Sequence, residues 1–165
     1  MKDFVVALFG HRKIDTFEFE YLLAEIAEEL IKTKNHVTFL LGRNGEFDEY
    51  SATVIKRVRR KAGDENNSMV LVLPYKIANI EYYADYYDDI IIPDVVCDAH
   101  PKAAITIKNH WMVEQSDLVI TYVERDDGGA YAAMKYAESL KKSIINLYGN
   151  KEILFTDNPY MTAQG

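Results

Sequence analysis

The sequence has a single cysteine, Cys97. This residue therefore has no second cysteine with which to form an internal disulfide. It also has no neighbours at the spacing of a metal site. The four histidines, His11, His36, His100 and His110, likewise show no ligand spacing. The sequence therefore excludes a disulfide framework, predicts no metal site, and fits a reducing compartment.

Long apolar runs and an excess of positive charge are also missing. No segment approaches the roughly 18 consecutive apolar residues of a membrane-spanning helix, and the charged start leads into a strand pattern rather than a signal-peptide core. With 19 Lys and Arg against 26 Asp and Glu, the formal net charge is −7. Such a charge disfavours broad attraction to nucleic-acid phosphates, although a local basic patch can still bind them. We expect a soluble cytoplasmic protein with no membrane partner.

Apolar runs alternate with helical patterns along a chain of 165 residues, the length of one ordinary domain. The predicted strands cover 4–9, 37–41, 69–73, 90–92, 118–123 and 144–147. The predicted helices cover 17–34, a segment from Asp48 as N-cap to Ala62, 77–87, 101–115 and 129–142. This alternation predicts a Rossmann-like, doubly wound α/β fold, with a mostly parallel sheet and helices on both faces. We expect a single domain over 1–148 and a peripheral C-terminal tail over 149–165.

Five of the eight glycines fall in three loops that each follow a predicted strand. They are Gly10, Gly42, Gly45, Gly128 and Gly129. In open α/β sheets this edge is the ligand side, since ligands bind outside the carboxyl ends of the strands. Glycine lets backbone N–H groups approach an anion, and a helix N-terminus adds further donors. The pattern predicts an anion site on Gly128, Gly129 and Ala130; the alternative is that the glycines only make turns and permit close packing.

Charged side chains occur in the same three loops. Arg12 and Arg43 are fork-shaped donors suited to phosphate. His11 lies where it could donate to a phosphate or serve as an acid. Asp127 either accepts from ribose hydroxyls or caps the following helix. These residues, together with Glu46 and Asp48 of the second loop, join the glycines and Ala130 as candidate ligand-binding residues.

Four quoted segments carry a family resemblance: "LFGHRK", "LGRNGEFDEYSATVI", "LVLPY" and "KNHWMVEQSDLVITYVERDDGGAYAAMKYAESLKKSIINLY". Together they resemble the YpsA-like branch of the SLOG superfamily, whose Rossmann-like domains are related to the DprA/Smf and LOG proteins. The resemblance spans roughly residues 4–148. It implies a pocket for a nucleotide or nucleotide-derived ligand in the glycine loops, and a homo-oligomer. No required cofactor is expected.

The enzymatic LOG members of the superfamily carry a Pro-Gly-Gly-x-Gly-Thr-x-x-Glu motif in the last loop, and this chain departs from it. The third glycine is replaced by Tyr131, the threonine by Ala132 and the catalytic glutamate by Lys135. Without that carboxylate, the acid–base chemistry of N-glycosidic cleavage lacks its assigned group. The sequence therefore contains no complete catalytic motif.

Three functional hypotheses follow from these observations. The leading one is binding or sensing of a nucleotide or nucleotide-derived phosphorylated small molecule by the glycine loops. The second is hydrolysis or transfer at the N-glycosidic bond of a nucleotide or nucleoside, with Glu46 or Asp48 as the carboxylate, as in nucleoside 2-deoxyribosyltransferases; otherwise Asp48 is a cap and Glu46 is solvated. The third is a protein or nucleic-acid interaction module that uses the tyrosines of 82–87 and the basic segment 56–61.

Overall fold

A computed structural model describes residues 3–149 of the chain. Its strands are β1 (Phe4–Gly10), β2 (Val37–Leu41), β3 (Asn67–Val72), β4 (Asp89–Ile91), β5 (Leu118–Tyr122) and β6 (Ser143–Asn146). Its helices are α1 (Phe19–Thr33), α2 (Glu46–Ala62), α3 (Ile80–Ala84), α4 (Pro101–Gln115) and α5 (Gly128–Ser139). The predicted tail lies outside the described residues, apart from Gly149. Within that part of the chain, no helix is long and apolar enough to cross a membrane.

The six strands form one sheet in the order β4-β3-β2-β1-β5-β6, and every neighbouring pair is parallel. The chain therefore runs outward from β1 to one edge, returns to the other side of β1, and continues to the opposite edge. This is the doubly wound α/β fold that the sequence predicts. The strand order reverses between β1 and β5, and a crevice opens at such a point beyond the carboxyl ends of the strands.

Helices cover both faces of the sheet and divide the core into two layers. On one face, α1 and α2 pack on alternate strand residues in a cluster that includes Leu23, Ile26 and Phe39. On the other face, α4 and α5 pack on the remaining strand residues, with Met112 and Ala137 fully buried. The near-continuous apolar strands of the sequence follow from this arrangement, because each strand is buried on both faces.

The start of α2 differs from the prediction that Asp48 caps it. The helix begins at Glu46, so Asp48 lies in its first turn and Gly45 occupies the N-cap position. The Asp48 carboxylate instead accepts a hydrogen bond from the backbone N–H of Asn44 at 2.9 Å. A side chain in the first turn that reaches back to the preceding backbone satisfies an orphan donor as in a capping box, which explains why the sequence position resembled a cap. The helix predicted over 77–87 is also shorter in the structure, where α3 spans only five residues.

Gly10 allows close contact between the end of β1 and α2. A Cβ atom at this position would lie 2.1 Å from Cγ of the Phe47 ring. The ring is fully buried and packs against Phe19 and Tyr122 at centroid distances of 5.4 and 6.3 Å. Gly10 therefore has a packing role in addition to its place beside the crevice.

We expect Gly10→Ala to lower the free energy of unfolding by about 1–3 kcal/mol, because the added methyl overpacks the Phe47 ring. Urea denaturation measures this loss, and Gly129→Ala is the matched control, since the nearest atom to a Cβ there is 3.9 Å away. In a Phe47→Ala background the cost of the alanine at position 10 should fall, because Cγ and Cδ2 of the ring, the two atoms nearest to the added methyl, are gone. Equal costs in both backgrounds would contradict the packing role of Gly10.

Candidate functional site

A cavity of about 240 Å³ lies in the crevice where the strand order reverses. Its walls are the loops after β1, β2 and β5, one side of α4, and the N-terminus of α5. Among the predicted ligand-binding residues, those that line it are Gly10, His11, Arg12, Gly42, Asp48, Gly128, Gly129 and Ala130. Three loops that are distant in sequence thus meet at one cavity, as expected from parallel strands that end at the same edge of the sheet.

The predicted residues that do not line the cavity are Arg43, Gly45, Glu46 and Asp127. The guanidinium of Arg43 lies 5.8 Å from the centre of the Tyr83 ring, over its face. The carboxylate of Asp127 stands at the N-cap position of α5, but it accepts from Nε of Arg125 at 3.1 Å rather than from the helix backbone. Both side chains therefore contact other residues of the protein and do not line the cavity.

Gly45 and Glu46 join the second loop to the first. A Cβ at Gly45 would lie 2.4 Å from Cα of Arg12, and the backbone N–H of Glu46 donates to the carbonyl of Arg12 at 2.8 Å. The Glu46 carboxylate accepts from the backbone N–H of Ile14 and from the Tyr50 hydroxyl, both at 3.3 Å. These contacts hold the two loops together and give Glu46 a structural role beside the cavity.

The N-terminus of α5 presents open backbone donors to the cavity. Gly128 has a φ of +87°, a conformation that L side chains rarely adopt, and a Cβ there would meet no atom within 4 Å. At Gly129 the nearest atom to a Cβ would be the side-chain amide nitrogen of Asn109 at 3.9 Å. The first N–H groups of a helix have no partner within the helix, so this end can accept an anion.

Lys108 is the main site residue that the sequence prediction missed. It lies on α4, lines the cavity, and is only 2% exposed. Among residues 3–149 its ammonium group forms no hydrogen bond, and the charge that acts on it is that of the Asp48 carboxylate. A Cβ at Gly42 would lie 2.9 Å from Nζ of Lys108 and 3.3 Å from Oδ2 of Asp48, so the two side chains approach each other beside Gly42. A buried amine without a partner is costly, and clusters of this kind occur at functional sites.

Burial shifts both titrating groups beside Gly42 towards their neutral forms. It raises the pKa of the Asp48 carboxyl, although the Asn44 N–H and the charge of Lys108 oppose this shift. It lowers the pKa of the Lys108 ammonium, which the Asp48 charge opposes. In the free protein, the attraction between the two charges thus offsets only part of the cost of burying them at one cavity wall.

The lowered pKa of Lys108 predicts a specific dependence of stability on pH. Between that folded-state pKa and the ordinary value of 10.5, the unfolded chain binds more protons than the folded chain, so this lysine makes the free energy of unfolding rise with pH. Lys108→Met removes the contribution. We expect the stability gained by the variant to be largest at low pH within this window and to shrink towards 10.5, as measured by urea denaturation at stepped pH. A difference that does not change with pH would contradict the shift.

His11 is nearly buried, and its hydrogen bond fixes how the ring can act. Nε2 accepts from the backbone N–H of Glu124 at 3.0 Å, so the neutral ring carries its proton on Nδ1. Burial lowers the pKa of His11, and the positive charge of Arg125 lowers it further. The Nδ1–H group is therefore the donor that His11 can offer to a ligand.

The other polar residues that line the cavity and were not among the predicted ligand-binding residues are Asn44, Asn109 and Arg125. A signal for Lys108 was present in the sequence. The buried residues Ala104, Lys108 and Met112 recur every four positions on α4, which places a lysine in the middle of the buried stripe. A charged residue at such a position indicates a functional cavity or a buried pair.

Compared by sequence, the chain matches no protein-family model and no curated protein. Its fold is similar to that of DNA processing protein A (DprA) from Streptococcus pneumoniae, with a TM-score of 0.59 and 14% identity, over 86% of this chain and 49% of that one. DprA from Helicobacter pylori, described for its single-stranded DNA binding mode, has a TM-score of 0.56 and 16% identity, over 86% of this chain and 63% of that one. The molybdenum cofactor carrier protein from Chlamydomonas reinhardtii has a TM-score of 0.54 and 16% identity, over 87% of this chain and 75% of that one.

These similarities concern the fold, because the identities are low. The part of each DprA chain that this chain matches is about half in one case and under two thirds in the other. The structural neighbours share the Rossmann-like fold that the resemblance to the SLOG superfamily implies. The YpsA-like branch within the superfamily stays a prediction from the sequence.

Proposed function

We propose that this SLOG-like domain binds a phosphorylated small molecule, a nucleotide or a nucleotide derivative, with a phosphate at the N-terminus of α5. The observation that carries the proposal is that a helix N-terminus and a buried lysine without a hydrogen-bond partner among the described residues line one cavity. Gly128 and Gly129 line the cavity in the first turn of α5, where the N–H groups of a helix have no partner within the helix, and Lys108 lines the same cavity. A phosphate on α5 would gain charge-assisted hydrogen bonds from these N–H groups, and the part of the ligand next to the phosphate would lie against the buried Lys108 amine.

The other charges of the cavity fit the same ligand. Arg12 and Arg125 are exposed residues of the lining, so they can contact phosphate oxygens without a prior desolvation cost. The cavity volume of about 240 Å³ is below the roughly 300–1,000 Å³ of common small-molecule pockets. We therefore expect the phosphate and its attached sugar to lie inside the cavity, and a base to extend out of it.

The structural neighbours support ligand or nucleic-acid binding without choosing between them. One is a protein described for binding single-stranded DNA, and another is a cofactor carrier. Nucleic-acid or protein binding has one observation in its favour on this chain, which is the 75% exposed Tyr82 beside Tyr83 on α3. Aromatic side chains of this kind stack on bases or enter interfaces. The basic segment of α2 is partly neutralised, since Arg59 pairs with Asp88 at 2.9 Å.

Catalysis at an N-glycosidic bond is the second candidate, and Asp48 is the observation that favours it. Its buried carboxyl lines the cavity with a raised pKa, as suits a group that donates a proton near neutral pH. Glu46 is engaged by the first loop instead. Enzyme action predicts release of free base from a nucleotide panel and its loss in Asp48→Asn. If the wild-type protein releases no base, this candidate fails and the binding proposal is unaffected.

The proposed function is tested by thermal unfolding of the purified protein with millimolar nucleotides, sugar phosphates, unphosphorylated nucleosides and single-stranded DNA. A ligand that binds only the native state must raise the apparent stability by mass action. We expect a phosphorylated small molecule to raise the melting temperature, its nucleoside to have little effect, and Arg12→Ala to reduce the shift. Stabilisation by DNA alone, or by nothing in the panel, would overturn the proposal in favour of an interaction module.

A further inference from the structure

We propose that Lys108 forms an imine with an aldehyde or ketone group of a phosphorylated ligand in the cavity. The inference deepens the proposed function, since it rests on the same phosphate site at α5, and it narrows the ligand class to phosphorylated carbonyl compounds. The cavity combines an anion site, a buried primary amine and a neighbouring carboxyl group. Each of the three has a distinct task in imine formation.

Lys108 places a buried primary amine in the wall of the cavity. Its side chain is 2% exposed yet belongs to the cavity wall, and it has no partner among residues 3–149 that would occupy its amine. A structural lysine in a protein interior is normally paired, because an isolated ammonium group loses its hydration without compensation. An unpaired buried amine at a cavity is instead arranged as nucleophilic lysines are, desolvated within a pocket.

Asp48 places a carboxyl group beside this amine. Its carboxyl lies beside Gly42 on the same side as the Lys108 amine, and it also lines the cavity. One carboxylate oxygen accepts from the backbone N–H of Asn44, which fixes the side chain in its orientation. The glycine leaves room for this approach, because a Cβ at position 42 would lie 2.9 Å from the amine nitrogen and 3.3 Å from Oδ2 of Asp48. The carboxyl group is thus held beside the nucleophile, where a carbonyl oxygen would need a proton.

The reaction balances with these groups alone. The lone pair of the neutral Lys108 nitrogen attacks the carbonyl carbon, and the carbonyl oxygen takes a proton from the Asp48 carboxyl. The nitrogen then returns one proton to Asp48. In the second stage the carbinolamine hydroxyl leaves as water with a proton from Asp48, the C=N bond forms, and the remaining N–H proton restores the carboxyl. One amine and one carbonyl give one imine and one water, with no oxidant or reductant.

The protonation states of Lys108 and Asp48 favour imine formation more than those of an exposed lysine and carboxylate would. Burial lowers the pKa of Lys108, so at a given pH a larger fraction of its amine is neutral than at the exposed lysines. Burial also raises the pKa of Asp48, so its carboxyl keeps a proton to higher pH than an exposed carboxyl. Each unit of difference in pKa changes the neutral amine fraction about tenfold below the pKa.

The test is reductive trapping with glyceraldehyde 3-phosphate, a small phosphorylated aldehyde, followed by borohydride and peptide mapping by mass spectrometry. Lys102, exposed on the same helix, is the internal reference. We expect adducts to form faster at Lys108 than at Lys102 at neutral pH, because burial lowers the pKa of Lys108 and α5 holds the phosphate of the aldehyde in the same cavity. Glyceraldehyde without phosphate should show much less preference for Lys108, because it lacks the group that α5 binds.

Two variants separate the parts of the inference. Asp48→Asn keeps the size of the side chain and should slow trapping at Lys108 without changing labelling of Lys102. Lys102→Met should leave the Lys108 adduct unchanged. If glyceraldehyde 3-phosphate raises the melting temperature but Lys108 stays unmodified, the imine is overturned and the phosphate site stands. If no phosphorylated compound stabilises the protein and all lysines label evenly, both the imine and the proposed function fail.

Discussion

Gly129→Asp is expected to abolish stabilisation by phosphorylated ligands while the protein stays folded. Two negative charges about 4 Å apart repel by roughly 4 kcal/mol at the effective dielectric of a protein surface. Affinity should therefore fall by at least about tenfold and by up to about a thousandfold. The free protein should not lose stability, because an acidic residue in the first turn interacts favourably with the helix dipole. Thermal unfolding with and without ligand measures both effects.

Two controls at the same position separate charge from bulk. Gly129→Asn adds a side chain of nearly the same size without the charge, and Gly129→Ala adds only a methyl group into open space. Alanine should retain binding, and asparagine should bind better than aspartate. Position 129 is preferable to Gly128, whose φ of +87° would make any side chain strained. Equal ligand shifts in the aspartate and alanine variants would place the anion away from α5.

Lys108→Met is expected to make the protein more stable and weaker in ligand binding. Methionine fills similar space without a charge, so the variant avoids the roughly 1–3 kcal/mol that a buried polar group without a hydrogen-bond partner costs, and the loss of the Lys108 charge near Asp48 offsets part of this gain. For a domain of this length each kcal/mol raises the melting temperature by about 2–4 °C. Loss of a hydrogen bond to a charged group costs roughly 1.5–3 kcal/mol of binding, about ten- to a hundredfold in affinity.

The opposite signs of these two effects identify a functional lysine. Lys102→Met on the same helix should change neither stability nor ligand affinity appreciably, since Lys102 is exposed. Asp48 should remain buried in the variant, because it keeps the hydrogen bond from Asn44. A less stable Lys108→Met protein would show that the lysine has a structural partner, and unchanged ligand affinity would remove it from the site.

The alternation of strands and helices was predictable because it depends on local periodicity. The order of the strands was not, since β5 returning beside β1 depends on pairing between residues more than a hundred positions apart. The three glycine loops could be placed at one edge by the rule for parallel sheets, and they meet there. Which glycines face ligand and which face protein depends on tertiary contacts. Gly10 meets the Phe47 ring, whereas Gly128 meets nothing within 4 Å.

The candidate site was incomplete in the sequence because its floor comes from a helix rather than from a loop. The prediction considered residues that follow strands, and Lys108 precedes one. Asp48 was identified, but as a cap or a base, because its burial and its position beside Lys108 appear only when α2 and α4 pack on opposite faces of the sheet. Glu46 is three residues or fewer from both Gly45 and Asp48, yet it turns towards Ile14. Sequence proximity could not distinguish these two carboxylates.

The central claim is tested most directly by backbone amide NMR during titration with the phosphorylated compound that gives the largest thermal shift. Glycine amides are informative here because they report on the proposed anion contact itself. We predict that the amides of Gly128 and Gly129 shift strongly, whereas that of Gly63, at the far end of α2, stays unchanged. Perturbations confined to α3 or to the basic segment 56–61, with Gly128 and Gly129 unmoved at saturation, would contradict a phosphate site at α5.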